Sequence, residues 1–361
     1  MMNLLFCGDI MPGGVLAYQG GYMSSELQEY MHSFDFRIGT LEAAIGTNLP
    51  FDPVKMEGRK NIIYARNEDF FRVKEMGFDV VSLANNHVWD LGEEGLKNTI
   101  KLLDDNGIKH CGAGMNLEEA SRPAVIEKDG LRIALFAYCM FGNKYLGYVE
   151  LAKNNKAGVS PLTIETVKAD ILKAKQAYDK VIVLPHWGRE YLCEPLPECI
   201  WMAKQMIAAG ADAVIGSHPH QVQPLVFFKG KPVCFSLGNF LFPDFFMYPP
   251  RPIWYPNYID EVRDVEDVVG YPFPIDKPLR QVWNPTSRYG YIMEVKVDTS
   301  SMGIDIHSVH LAADNIEYLS EMPPRIQRQL NKAVQIINNP LVRKFVYVRR
   351  KVRGFVKLYI K

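Results

Sequence analysis

Short runs rich in apolar residues fall at 3–7, 34–38, 79–83, 132–137, 180–184, 213–215 and 233–237. Runs of this length without polar alternation predict strands buried on both faces. Between them the period lengthens to that of a helix, notably over 93–106, 163–178 and 198–209. Leu96, Ile100 and Leu103 recur at helical spacing, and Gly107 ends that pattern. Ile164, Val167, Ile171 and Ala174 likewise share one helix face. Strands alternating with helices predict an α/β layer architecture. Further on, 291–297 and 304–311 alternate with no helix between them, which predicts an antiparallel pair closing a sheet. There is no internal repeat.

One stretch breaks this rhythm. Residues 243–285 hold nine of the 23 prolines and nine aromatics, among them Phe245, Phe246, Tyr248, Trp254, Tyr255 and Trp283. A loop this long without regular structure reads either as a lid or substrate platform, or as a surface excursion over apolar core. The chain therefore divides into a body over 1–320, carrying an insertion at 243–289, and a tail over 321–361.

Composition changes the picture in two places. The 361 residues carry 41 Lys+Arg and 41 Asp+Glu, so no overall charge points to nucleic acid. The balance hides an asymmetry, because 340–361 holds eight cations (Arg343, Lys344, Arg349, Arg350, Lys351, Arg353, Lys357, Lys361) and no acid. On a helix, Leu341, Phe345, Val348, Val352, Phe355, Val356 and Tyr359 fall on one side of this tail and most cations on the other. A basic amphipathic helix of that kind can lie on an anionic bilayer, or it can dock on the acidic body. Six cysteines, none in a C-x-x-C pair, read as buried free thiols of a reducing compartment. With no stretch of about 18 apolar residues, the expected location is cytoplasmic, with the tail peripheral on the inner face of the membrane.

The chemistry collects at strand ends. Residues 3–7 lead into Gly8-Asp9, 34–38 into Thr40-Leu41-Glu42, and 79–83 into Asn85-Asn86-His87 with Asp90 and Gly92. Residues 180–184 lead into His186-Trp187-Gly188, and 213–215 into Gly216-Ser217-His218-Pro219-His220. Singly, each has a bland explanation: a Gly-Asp turn, a core histidine beside Trp187, Asp90 as a helix cap. Together, five apolar strands end in metal-ligand residue types, at the edge where α/β sheets bind ligands. Four of the eight histidines sit in these turns.

This ordered set resembles the CapA family of bacterial capsule and poly-γ-glutamate synthesis proteins, within the calcineurin-like metallophosphoesterase superfamily. The resemblance rests on Gly8-Asp9, Leu41-Glu42, Asn85-Asn86-His87-x-x-Asp90-x-Gly92, His186-Trp187-Gly188-x-Glu190-Tyr191, Gly216-x-His218-Pro219-His220 and Ser236-Leu237-Gly238-Asn239-Phe240. It implies a four-layer α-β-β-α sandwich with one or two divalent cations (Mn, Fe or Zn) at the strand ends. Asp9 and His220 would serve the first metal, Glu42 would bridge, and Asn86, His186 and His218 would hold the second. His87, oriented by Asp90, would face the leaving group, while Arg189 and Asn239 would meet the substrate. Two departures stand out: Met11 occupies the place of a histidine in the superfamily's Asp-x-His motif, and the bridge is Glu42 rather than Asp.

The implied activity is phosphoesterase-like hydrolysis in capsule, exopolysaccharide or poly-γ-glutamate biosynthesis, on an anionic phosphate-containing or polymer substrate. Two alternatives keep the metal: a non-catalytic assembly factor for an anionic envelope polymer, and an amide hydrolase. Retention of His87 and Asp90 favours catalysis; loss of an imidazole at Met11 points the other way.

Overall fold

The protein is described from a computed structural model, which covers residues 1–47, 62–140, 149–247, 253, 255–256, 262–266, 279–312, 315–319 and 321–348. In chain order its main elements are β1 (Met2–Ile10), α1 (Ser25–His32), β2 (Phe36–Leu41), β3 (Val80–Ser82), α2 (Gly92–Asp105) and β4 (Lys109–Cys111). The second half of the sandwich follows with β5 (Ala124–Lys128), β6 (Leu131–Cys139), α3 (Ile164–Ala174), β7 (Lys180–His186), α4 (Pro197–Ala209) and β8 (Ala213–Ile215). Then come β9 (Val222–Phe228), β10 (Lys231–Leu237), β11 (Asn239–Leu241), β12 (Tyr289–Val297), β13 (Met302–Leu311), β14 (Ile316–Leu319) and α5 (Pro324–Asn338).

The strands form two large sheets. The first runs β14-β13-β12-β1-β2-β3-β4, with β11 also pairing with β1, and the second runs β9-β10-β8-β7-β6-β5. Strands β1 to β4 are mutually parallel, as are β6, β7, β8 and β10. The expected antiparallel pair is β12 with β13, in unbroken register from Tyr289↔His310 to Val297↔Met302.

Alternate residues of one strand explain the layering. In β7, Ile182 and Leu184 face the first sheet in a core with Leu4, Phe6, Ile38 and Ile292. Their neighbours Val181 and Val183 face outward, onto Ile171 of α3 and Ala203, Met206 and Ile207 of α4. A strand covered on both sides has no face left for polar residues, hence the apolar runs. On the far side, Leu27 and Met31 of α1 and Leu96 and Leu103 of α2 cover the first sheet. The result is a four-layer α-β-β-α sandwich.

Some boundaries move. The run at 34–38 becomes a strand three residues longer at its carboxyl end, reaching Leu41. Asp90 does not cap α2, whose N-cap is Leu91 without a side-chain bond; the Asp90 carboxylate is engaged elsewhere. The segment at 243–289 is not structureless either. Phe245–Met247, Leu279–Val282 and Arg263–Glu266 form a small sheet of their own. Strands of three or four residues, set among prolines, are too short to impose a legible period. Residues 248–252, 254, 257–261 and 267–278 of the insertion, Tyr248 and Trp254 among them, lie outside the described residues, as do 349–361 of the tail.

Helix α5 belongs to the body by its packing. Ile326, Leu330, Ala333, Ile336 and Ile337 are buried on it. All six cysteines are unpaired, and five are buried. Among the described residues no helix is long and apolar enough to cross a membrane.

Candidate metal centre

Parallel strands of both sheets deliver their carboxyl ends to one place. Asp9 lies near the end of β1, Glu42 just past β2, Asn86 past β3, His186 at the end of β7, and His218 and His220 past β8. All six are buried. Local irregularities aim them. The register of β1 against β2 shifts between Phe6 and Asp9, a bulge that redirects the Asp9 side chain. Gly8 permits the close approach of β11, since a Cβ there would lie 1.9 Å from the Gly238 carbonyl oxygen. His218 and His220 flank Pro219 with φ of 96° and 52°. Left-handed backbone at a non-glycine residue costs about 1–3 kcal/mol and persists where the surroundings demand it. Here it turns both imidazoles inward, their ring centroids 6.1 Å apart.

The donor atoms fall into two sets that share Glu42. One is Glu42, His186 and His218; the other is Asp9, Glu42 and His220, and within each the candidate ligand atoms lie within 4.8 Å of one another. Asn86 joins the first set, with Oδ1 2.7 Å from His186 Nε2. His186 Nε2 is also 3.1 Å from His218 Nδ1 and 3.4 Å from Glu42 Oε1. In the second set, His220 Nε2 is 3.7 Å from Glu42 Oε1.

The protons available to these atoms are too few for the contacts they make. His186 Nδ1 is 2.8 Å from Ser217 Oγ, so Nε2 is the nitrogen turned to the cluster. A single proton there can serve only one of three neighbours that are themselves acceptors or lone-pair nitrogens. Asp9 Oδ1 is buried and meets no donor in hydrogen-bonding geometry among the described residues. Burial and the neighbouring Glu42 carboxylate push the Asp9 carboxyl well above its ordinary range, against the pull of the His218 backbone N–H. Burial holds His186 and His218 well below the usual imidazole value, helped in each case by the neighbouring imidazoles, so both rings are neutral. Neutral imidazoles, an amide oxygen and paired carboxylates converging in a dry site are what a divalent cation completes. The residues fit such a group.

The model for the family described as "Bacterial capsule synthesis protein PGA_cap" matches residues 3–244. The chain belongs to that family. Its relatives include the "Capsule biosynthesis protein CapA" of Bacillus anthracis, 31% identical over 67% of this chain and 60% of that one. The "PGA biosynthesis protein CapA" of Bacillus subtilis is also 31% identical, over 67% of this chain and 63% of that one. The chain thus spans about three fifths of the length of the curated relatives it matches. Among solved structures, the calcineurin-like phosphoesterase YfkN from Bacillus subtilis aligns with a TM-score of 0.46 and 13% identity, covering 93% of this chain and 97% of that one.

Beside the clustered donor atoms, His87 Nδ1 is 2.6 Å from Asp90 Oδ2. The same oxygen accepts the Ile63 backbone N–H at 2.7 Å, which holds the carboxylate in place. Asn85 anchors the turn, accepting from the backbone N–H groups of His87 and Val88 and donating to the Leu41 carbonyl at 2.8 Å.

Two residues expected to meet the substrate stand differently toward the cluster. Asn239 Oδ1 is 2.9 Å from His220 Nδ1, and its amide nitrogen donates to the Ser287 carbonyl. One contact at each amide atom lets Asn239 orient His220. Arg189 lies exposed in the turn after His186, and no hydrogen bond or ion pair joins it to the cluster among the described residues. Ser217, hidden in the sequence between two more conspicuous residues, emerges as the group that orients His186.

Met11 has an apolar explanation. It packs in a cluster with Phe242, Phe245 and Trp283. That wall borders the second donor set, because His220 lies 4.9 Å from the Trp283 ring and 5.3 Å from Phe242. Tyr191, itself at φ 63°, stacks nearby, 6.3 Å from His220. The insertion therefore contributes Trp283 to one side of the site, a placement composition alone did not reveal.

Proposed function

We propose that this protein is a metal-dependent, phosphoesterase-like hydrolase acting in the production of a bacterial capsule, exopolysaccharide or poly-γ-glutamate. The observation that supports this most is the pair of donor sets sharing Glu42 beside the His87–Asp90 pair. Asn86, His186 and His218 would hold one divalent cation, Asp9 and His220 a second, and Glu42 both. Oxygen and imidazole donors without thiolate suit Mn, Fe or Zn. Bound there, such cations supply Lewis acidity toward a phosphoryl oxygen and an acidified water.

The chain's own residues do the rest. His87 donates its Nδ1 proton to Asp90, so Nε2 is the nitrogen that delivers a proton to a departing oxygen, an effect worth about 10²–10⁴ in rate. Ser217 and Asn239 fix the rings of His186 and His220, and the Met11–Phe242–Trp283 wall excludes water from one side.

A second reading is a non-catalytic assembly factor that grips an anionic polymer through the same cations. The apolar wall in place of an imidazole at Met11 favours it. The deciding experiment measures metal content and hydrolysis of bis(p-nitrophenyl) phosphate by the wild type and His87→Ala. We expect bound transition metal in both and turnover in the wild type alone. Metal without turnover of any ester would favour the binding role, and turnover of a γ-glutamyl amide instead would move the reaction to amide hydrolysis. Turnover surviving His87→Ala would remove that residue as the acid.

A further inference from the structure

The two donor sets are braced from different parts of the chain. In the first, the brace on His186 is Ser217, in the same turn after β8 that carries His218. Around His220 the braces come from one short turn, residues 283–288, directly after the insertion's strand Leu279–Val282. Three contacts from this turn converge on His220. The Trp283 ring lies 4.9 Å from the imidazole. The Ser287 carbonyl accepts from the Asn239 amide nitrogen at 3.0 Å, and Asn239 Oδ1 is 2.9 Å from His220 Nδ1. Thr286 Oγ1 accepts from the side-chain nitrogen of Gln221, the residue that follows His220, at 2.9 Å.

The turn is itself held along its length. Asn284 Oδ1 accepts from the Thr286 and Ser287 backbone N–H groups, each at 3.1 Å, and from the Thr286 hydroxyl at 2.7 Å. At its end Arg288 donates from Nη2 to both oxygens of Asp244, at 2.8 Å each. Asp244 Oδ1 also accepts the Trp283 backbone N–H at 3.0 Å, so the ion pair ties the two ends of the turn together. The pair is largely buried, and salt screens such a pair little. His220 needs this support because its backbone is left-handed, with φ of 52°, a conformation that persists only where the surroundings over-determine it. The turn lies beyond residue 244, where the match to the family model ends.

We propose that the turn 283–288 is the positioning element of the His220 half of the metal centre. The second cation is then held by way of the insertion's exit, and the first is not. Thr286 and Arg288 touch no donor atom and act through others. Thr286 fixes Gln221 and with it the backbone of His220; Arg288 fixes Asp244 and with it Trp283, which packs on the imidazole. Loss of either brace leaves Asp9 and Glu42 in place and frees the ring between them. This inference rests on the cation site of the function proposed above and is independent of the reaction performed there.

The test is calorimetric titration of the chelator-treated full chain with Mn²⁺. His186→Ala and His220→Ala each remove one binding step, which assigns the steps to the two donor sets. We expect Thr286→Val to weaken the His220-dependent step about 10–100-fold, as outer-shell changes do, and to leave the His186-dependent step as in the wild type. Thr286→Ser keeps the hydroxyl and should restore wild-type binding. Arg288→Gln should weaken the same step. Thr286→Val is the milder change, one hydroxyl lost at nearly constant shape, so it carries the test where Arg288→Gln lowers stability. Unchanged binding in Thr286→Val, an equal loss at both steps, or a wild type without a His220-dependent step would each overturn the proposal. Equal loss would make the turn a general support of the fold. Titration needs no turnover, so a failed ester assay would not bear on this inference, and its own failure would leave the His186 set and the hydrolase reading intact.

Discussion

Two clusters of histidine and carboxylate among the described residues are arranged in opposite ways. On the first sheet, His307 Nε2 is 2.7 Å from Glu294 Oε1, and the Tyr318 hydroxyl is 2.7 Å from His307 Nδ1. Tyr30 of α1 donates its hydroxyl to the same Glu294. Donors and acceptors can alternate along that chain: tyrosine to imidazole, imidazole to carboxylate, tyrosine to carboxylate. At the strand ends the same residue types converge on one nitrogen, His186 Nε2 facing Asn86 Oδ1, Glu42 Oε1 and His218 Nδ1. A candidate ligand site is thus marked by the convergence of its donor atoms more than by residue type. The closed cluster is part-buried and can alternate donors with acceptors; the open one is buried, and one ring proton has three neighbours to serve.

The contrast can be broken by substitution, and the largest effect should come from His186→Ala. It removes a donor central to the first set and should weaken metal binding more than the roughly 10–100-fold typical of an outer-shell change, as read by isothermal titration. His307→Ala, in the closed cluster, should leave that titration unmoved. Equal effects at the two sites would erase the distinction. Next comes Ser217→Ala, which frees the His186 ring and also takes a hydroxyl from beside Asp9. We expect metal affinity to fall about 10–100-fold, with recovery in Ser217→Thr.

A change of sign is expected at Asp9. With metal bound, Asp9→Asn removes a negative donor and should lower thermal stability relative to wild type. After chelation the same substitution relieves two crowded buried carboxyl groups, and stability should equal or exceed wild type. Melting curves with and without chelator give both numbers. A loss of the same size in both states would show that Asp9 is merely structural. The smallest effect is that of His307→Ala on stability, about 1–2 kcal/mol for unsatisfied tyrosine and carboxylate partners, read from urea midpoints.

Much of the fold is legible along the chain because burial on both faces leaves a local signature: β7 is apolar at every position from Val181 to Leu184 since each side has a layer to meet. The candidate ligands were legible for a related reason, since a strand that runs apolar and then stops at Asp9, His186 or His218 announces where the core ends. The short strands around Phe245, Val265 and Leu279 left no such signature, and neither did the partner that each polar group would choose. Asn239 reads equally well as a substrate contact or a brace for His220, and its contact with that ring is visible only in the folded chain.

From the order of its residues this protein already had its strands and helices, its basic tail and the identity of the side chains crowding its strand ends. Those properties depend on neighbours a few positions apart, where periodicity and backbone preference act. Which donors face one another, that Glu42 is common to both sets, and that Met11 belongs to an aromatic wall were decided only by folding. Each of these is a relation between residues tens to hundreds of positions apart, and the packing of two sheets and their covering helices is what brings them within bonding distance.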